Sequence, residues 1–184
     1  VAQRQTICTS RSFGNLVTDY DALQASVASF AASCANKLRG QHSLTSAVTV
    51  FVSSNRFRED LTQYSNGQTR ILPMPTSDTI EITQAALSVL KEIYREGISY
   101  KKTGVILGDI TDASYIQQNL FDEVKNRPER MQLMKSIDAL NHRFGLRKIH
   151  LAVEGEEKQA WHAKSEFRSG NYLSDLKEIL TIQI

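Results

Sequence analysis

The sequence predicts an α+β protein: a β-α-β-β-α-β domain whose four-stranded, mainly antiparallel sheet carries two helices on one face, followed by a small α/β extension. Three observations predict it. Two long stretches, 23–38 and 82–93, carry apolar residues at helical spacing. Short strand-like runs at 5–13, 47–53, 69–72 and 100–107 flank those helices in β-α-β-β-α-β order. Beyond Asp109 the pattern breaks, and a separate helical pattern begins near Glu129. The expected units are residues 1–112, a linker at 113–128 and an extension at 129–184.

The first strand, Gln5 to Phe13, is expected to end at Gly14. Thr18 or Asp19 can accept the free amides that open the first helix. Leu23, Val27, Phe30, Ala31, Cys34 and Leu38 form its buried face, and Gly40 is placed to end it. In the run Ala47 to Ser53, Val48, Val50 and Val52 point one way; Thr49, Phe51 and Ser53 point the other. A polar stretch, Ser54 to Gln68, leads to a third strand at Thr69 to Leu72. Pro73 and Pro75 cannot donate ladder hydrogen bonds, so that strand is an edge or is broken there. Asp78 opens the second helix, and Glu81 completes a capping-box pair. Ile82, Ala86, Val89, Leu90 and Ile93 make its stripe and Gly97 its stop. The last strand runs from Tyr100 to Leu107.

In the extension, Leu133, Ile137, Leu140 and Phe144 share a helical face that Gly145 ends. A strand is expected at Lys148 to Val153. The tail holds Trp161 and a short helical pattern around Leu173, Leu176, Ile179 and Leu180.

Apolar residues are 41% and charged residues 23% of the 184, which excludes a mostly disordered chain. The net charge of +2 neither demands nor excludes nucleic acid; only a clustered basic face would argue for it. The chain begins at Val1 and no Met precedes Met74, so a piece of a longer protein is expected. The polar first residues predict no signal peptide, and no run approaches a membrane span. Cys8 and Cys34 fit no zinc spacing. A reduced, cytoplasmic setting is expected, with one disulfide as the open alternative.

No nucleophile elbow, P-loop or dinucleotide fingerprint occurs. His42, His142, His150 and His162 are scattered. Two-metal phosphoryl transfer needs clustered carboxylates, whereas these sit at helix starts (Asp19, Asp21, Asp78, Glu81) or in the solvated run Glu154, Glu156, Glu157. No catalytic site, metal site or cofactor is therefore expected in this chain. Two binding signals remain. Gln117-Gln118-Asn119-Leu120-Phe121 lies in the polar linker, where an extended peptide can place Leu120 and Phe121 in an apolar pocket and Gln117 at its rim; folding back onto the parent sheet is the alternative. Arg11, Arg56, Arg58, Arg70, Lys101 and Lys102 cluster at strand ends and loops, where they can meet phosphates without reading sequence; a solvated polar face is the alternative.

Several stretches in order resemble the UmuC family, the polymerase V type within the Y-family of translesion DNA polymerases. They are Ser10-Arg11-Ser12-Phe13-Gly14, Val17-Thr18-Asp19-Tyr20, Pro75-Thr76-Ser77-Asp78-Thr79, Tyr100-Lys101-Lys102-Thr103-Gly104, Gln118-Asn119-Leu120-Phe121-Asp122 and the helix ending Leu140-Asn141. The resemblance covers nearly the whole chain. It implies a little-finger domain that lies along DNA and contacts backbone phosphates in an SOS damage-tolerance polymerase. Ser10, Arg11, Ser12, Phe13, Lys101, Lys102 and Thr103 are then the strand candidates for DNA contact, with Arg56, Arg58 and Arg70 beside them. Residues 117–121 become the sliding-clamp peptide, in which Gln118 stands where the family commonly has Leu. The resemblance also implies a UmuD-type subunit and the recombinase filament as partners. It implies a catalytic palm, with Mg2+, upstream and outside this fragment. Near the C-terminus, Ser169-Gly170-Asn171-Tyr172-Leu173-Ser174 departs from the family pattern, so the tail receives no role. A ferredoxin-like regulatory or oligomerisation module, binding protein or a small ligand, is the competing reading; an apolar, buried open sheet face would favour it.

Overall fold

The computed structural model describes residues 5–115, 126–145, 147–155 and 161. Their elements are β1 (Ile7–Val17), α1 (Tyr20–Gly40), β2 (Ser43–Ser54), β3 (Ser65–Thr76), α2 (Thr79–Ile93), β4 (Tyr100–Asp112) and α3 (Arg127–Phe144), with 3-10 turns at Ala113–Tyr115 and Ala152–Glu154. The sheet order is β1-β4-β2-β3, every neighbouring pair antiparallel. The last strand thus inserts between β1 and β2, which run parallel on either side of it.

Both helices cover one face. Leu23, Val27, Phe30, Ala31, Cys34 and Leu38 of α1 are buried, as are Ile82, Ala86, Val89, Leu90 and Ile93 of α2. They meet Val48, Val50 and Val52 of β2 and Val105 and Leu107 of β4. Each fully buried Val, Leu, Ile or Phe among them contributes about 1.5–3 kcal/mol by leaving water, and each alanine less. Tyr100, fully buried at the start of β4, accepts from the Arg95 amide (2.7 Å) and donates to its carbonyl (3.0 Å), which satisfies its hydroxyl inside the core.

Several sequence expectations shift. Gly14 does not end β1; the strand runs on to Val17 through a register slip after Ser12. Asp19, not Thr18, caps α1, its carboxylate accepting from the Ala22 amide at 2.9 Å. Gly40 is the last helical residue, and the left-handed turn falls two residues later on His42 (φ 54°). β3 is both an edge and irregular: its register with β2 slips between Ile71 and Thr76, the stretch that holds Pro73 and Pro75. Asp78 caps α2 through the Ile80 amide (2.7 Å), but Glu81 does not close the box; the Asp78 amide donates to Thr76 Oγ1 instead (3.1 Å).

The extension departs most. On α3 only Met134 is buried, while Leu133, Leu140 and Phe144 are 49%, 39% and 59% exposed. The face that meets the first domain is polar: Arg127, Arg130, Asp138 and Asn141 flank Met134 and Ile137. Apolar periodicity found this helix but not the face on which ion pairs dock it. No strand forms at Lys148 to Val153. Asn141 takes the role of a partner strand, its side chain bonding both the amide and the carbonyl of Ile149 at 2.8 Å. The Glu154 carboxylate folds back onto the Leu151 amide (3.0 Å). Gly145 (φ 110°) ends α3 as expected.

Candidate nucleic-acid interface

Alternation along the strands sorts the candidate residues onto two faces. In the register, Cys8, Ser10 and Ser12 of β1 lie opposite Ile106, Gly104 and Lys102 of β4. These in turn lie opposite Thr49, Phe51 and Ser53 of β2, and beyond them Thr69, Gly67 and Ser65 of β3. This is the face away from the helices. It is built mainly of hydroxyls and glycines with one lysine and one aromatic ring, while Cys8, Ile106, Ala47 and the exposed Ile71 make its end away from Lys102 more apolar. Thr49 and Thr69 hydroxyls join at 2.7 Å across it. Ser12, Ser53 and Lys102 lie at the end where β2 passes into the β2–β3 loop.

That loop carries Arg56 and Arg58. Gln63 organises it, its amide donating to the Asn55, Arg58 and Leu61 carbonyls at 3.2, 2.8 and 3.1 Å. The Arg58 guanidinium forks onto Asp60 (2.7 and 2.6 Å) at the exposed surface. Arg56 lies 5.3 Å from the centre of the exposed Phe57 ring. Lys102 and Ser12 thus lie at the end of the sheet from which the loop with Arg56 and Arg58 extends.

The other candidates lie elsewhere. Phe13 is 1% exposed and belongs to the core. Thr103 is fully buried and its hydroxyl donates to the Phe51 carbonyl at 2.7 Å. Arg70 sits opposite Val48, on the helix side, and pairs with Glu92 of α2. Lys101 donates its ammonium to the Phe13 carbonyl at 2.5 Å. Arg11 lies opposite Thr103, again on the helix side, in a crevice with Phe30 and Trp161. Four consecutive residues of β1 cannot share a face, so Ser10 and Ser12 separate from Arg11 and Phe13. Thr49 and Phe51, expected only as the face opposite the valines, were not among the contact candidates; the signal for Phe51 was Gly104 inside a strand, which marks a close approach. The peptide Gln117–Phe121 lies outside the described residues, as does the tail pattern at Leu173–Leu180.

Behind the sheet, α3 is held against α1 and α2 by charge. Arg130 Nε donates to Asp78 Oδ2 at 2.7 Å, so one carboxylate caps α2 and anchors α3. Arg127 reaches Glu81 at 3.4 Å. Trp161 is buried, edge-on to Phe30 with ring centres 5.3 Å apart. A cavity of about 360 Å³ remains between α1 and the extension, lined by Phe30, Met134, Ile137, Leu151 and Trp161 among others.

Among the described residues, no three His, Cys, Asp or Glu side chains converge as metal ligands, and no helix is long and apolar enough to cross a membrane. Both cysteines are thiols; Cys34 is buried, and burial raises its pKa against the hydrogen bond with Thr9.

The profile of the impB/mucB/samB family C-terminal domain matches residues 4–120. A second profile, described only as a domain of unknown function, matches residues 131–182. The chain is 38% identical over 178 residues to Protein ImpB and 36% identical over 180 residues to Protein UmuC, both of Salmonella typhimurium. It is 33% identical over 176 residues to Protein MucB of Escherichia coli. These alignments cover 96–98% of this chain but only 41–42% of each relative, so the chain spans about two fifths of their length.

Proposed function

Because the chain belongs to the impB/mucB/samB family, of which it carries the C-terminal domain, we propose that it is the DNA-gripping and clamp-tethering portion of an error-prone translesion DNA polymerase acting in SOS damage tolerance. Nucleotidyl transfer, with its Mg2+, is assigned to the part of the relatives that these residues do not span. The observation that carries the reading is the open sheet face. Its hydroxyls (Ser10, Ser12, Thr49, Ser53, Thr69) and the Lys102 ammonium form a low surface with Arg56 and Arg58 at one end. Such groups bond phosphate oxygens without reading bases. Among the described residues, α3 docks on the helix side, away from that face.

The tether rests on the peptide Gln117–Phe121, at the end of the first matched region and ahead of the second. A UmuD-type subunit and the recombinase filament remain proposed partners of the whole polymerase.

Fluorescence anisotropy of the chain on two duplexes of unrelated sequence tests the grip. Equal affinities that fall steeply with salt support it, with a slope of roughly 0.9 per phosphate contact. Sequence-selective or salt-independent binding, or none, overturns it. For the tether, Leu120→Ala with Phe121→Ala should abolish capture by a bacterial sliding clamp; undiminished capture removes that assignment.

A further inference from the structure

One row of the open face runs Ser10, Gly104, Phe51, Gly67 from β1 to β3. Phe51 is its one large residue. A methyl group on residue 104 would fall 2.4 Å from Phe51 Cζ, 2.6 Å from Cε1 and 2.5 Å from Ser10 Cβ. One on residue 67 would fall 3.1 Å from Phe51 Cβ. The ring therefore occupies the space that a side chain on β4 would take. It lies across the sheet toward β1 instead of standing off it.

In the next row Lys102 sits between Ser12 and Ser53. Its ammonium is 5.8 Å from the centre of the Phe51 ring. An unrestrained lysine loses rotamer freedom each time it meets a phosphate. The negative face of a flat ring beneath the stem holds the cation in place before the phosphate arrives.

We infer that Phe51 is a positioning residue for DNA contact: laid flat by Gly104, it presents the Lys102 ammonium to a backbone phosphate and keeps the face low enough for a duplex to approach. This rests on the reading of the open face as the DNA-contact surface. Phe51 itself reads no base. The ring acts on affinity through Lys102, so the effects of the two residues are coupled.

The test titrates the full 184-residue chain against a fluorescein-labelled duplex at several salt concentrations. The variants are Phe51→Leu, Lys102→Ala, the double variant and Gly104→Ala, each checked by thermal unfolding. Lys102→Ala should weaken binding and reduce the salt slope by about one. Phe51→Leu should weaken binding about two- to five-fold, the range of an exposed cation–π contact, and should add no loss in the Lys102→Ala background. Gly104→Ala should weaken binding like Phe51→Leu; where it fails to fold, Phe51→Leu carries the test. Wild-type affinity in Phe51→Leu, or losses from Phe51→Leu and Lys102→Ala that multiply independently, would overturn the inference while leaving the DNA reading intact. No binding by the wild-type chain, or none lost in Lys102→Ala, would overturn the surface assignment and this inference with it.

Discussion

The Arg39 guanidinium forks onto the Asp138 carboxylate, Nε to Oδ2 at 2.6 Å and Nη2 to Oδ1 at 2.8 Å, joining residues 99 apart in the chain. The remaining Nη1 donates to the Ser77 carbonyl (2.7 Å) and to Thr79 Oγ1 (2.9 Å). One residue at the end of α1 thereby ties the start of α2 to the middle of α3. The pair is mostly shielded, with side chains 12% and 26% exposed, so water does not replace it freely.

Arg39→Ala or Asp138→Ala should therefore release α3 at a cost of about 1.5–3 kcal/mol, the range for hydrogen bonds to charged groups. Hydrogen exchange checks this. Protection should fall across Arg127–Phe144 and stay unchanged in β2 and β4. Loss spread evenly over the sheet would mean that the pair supports the whole fold instead.

Acid should undock the extension. Burial alone would raise the Asp138 carboxyl, but the Arg39 hydrogen bond and charge, with Asn36, outweigh it and hold it below the ordinary value. A depressed folded pKa makes the contribution full above the ordinary Asp value near 3.9 and lost as pH falls through the folded value. Glu154 has the opposite sign. Burial raises its pKa against the Leu151 amide and Arg147, so its contribution is full below the ordinary Glu value and lost as pH rises through the folded one. Trp161, the one tryptophan of the sequence, reports on both. Its emission should be blue-shifted at pH 7 in the wild type and in Glu154→Gln, red-shifted in acid, and already red-shifted at pH 7 in Asp138→Asn.

Asp78 should separate capping from anchoring. Asp78→Asn keeps an oxygen for the Ile80 amide and loses the charge that Arg130 meets; Asp78→Ala loses both. Urea unfolding should show Asp78→Ala to be the less stable by about 1 kcal/mol, the usual worth of an N-cap. Both should shift Trp161 emission to the red.

Phe13→Ala should cost about 3–5 kcal/mol in urea unfolding, because the ring is a core residue. Where the variant folds, its DNA-binding salt slope should equal that of the wild type. A changed slope would return Phe13 to the interface.

Arg70→Ala and Glu92→Ala should leave the salt slope unchanged, whereas Arg56→Ala should lower it by about one. Arg70 and Glu92 share an exposed pair on the helix side, worth at most about 1 kcal/mol to stability. Anisotropy titration separates the two arginines; equal effects would contradict the two-faced sorting of the sheet.

The sequence by itself determined the β-α-β-β-α-β order, the buried faces of α1 and α2, and the split of β2 into a valine face and a Thr49–Phe51–Ser53 face. Those follow from local periodicity, which hydrophobic burial enforces residue by residue. It also held the linker peptide and the family pattern. Only the tertiary structure decided that β4 lies between β1 and β2, that Ser10 and Ser12 part from Arg11 and Phe13, and that Arg70 turns to Glu92. The Phe51 ring on Gly104 and the docking of α3 through Arg39 and Asp138 were likewise hidden. Strand order and ion-pair partners join residues far apart in the chain, and a charge looks the same in sequence whether water or a distant opposite charge satisfies it. The apolar stripe of α3 was read correctly as a stripe. It lies largely exposed because two shielded carboxylates, Asp78 and Asp138, draw a neighbouring polar face of that helix onto the domain.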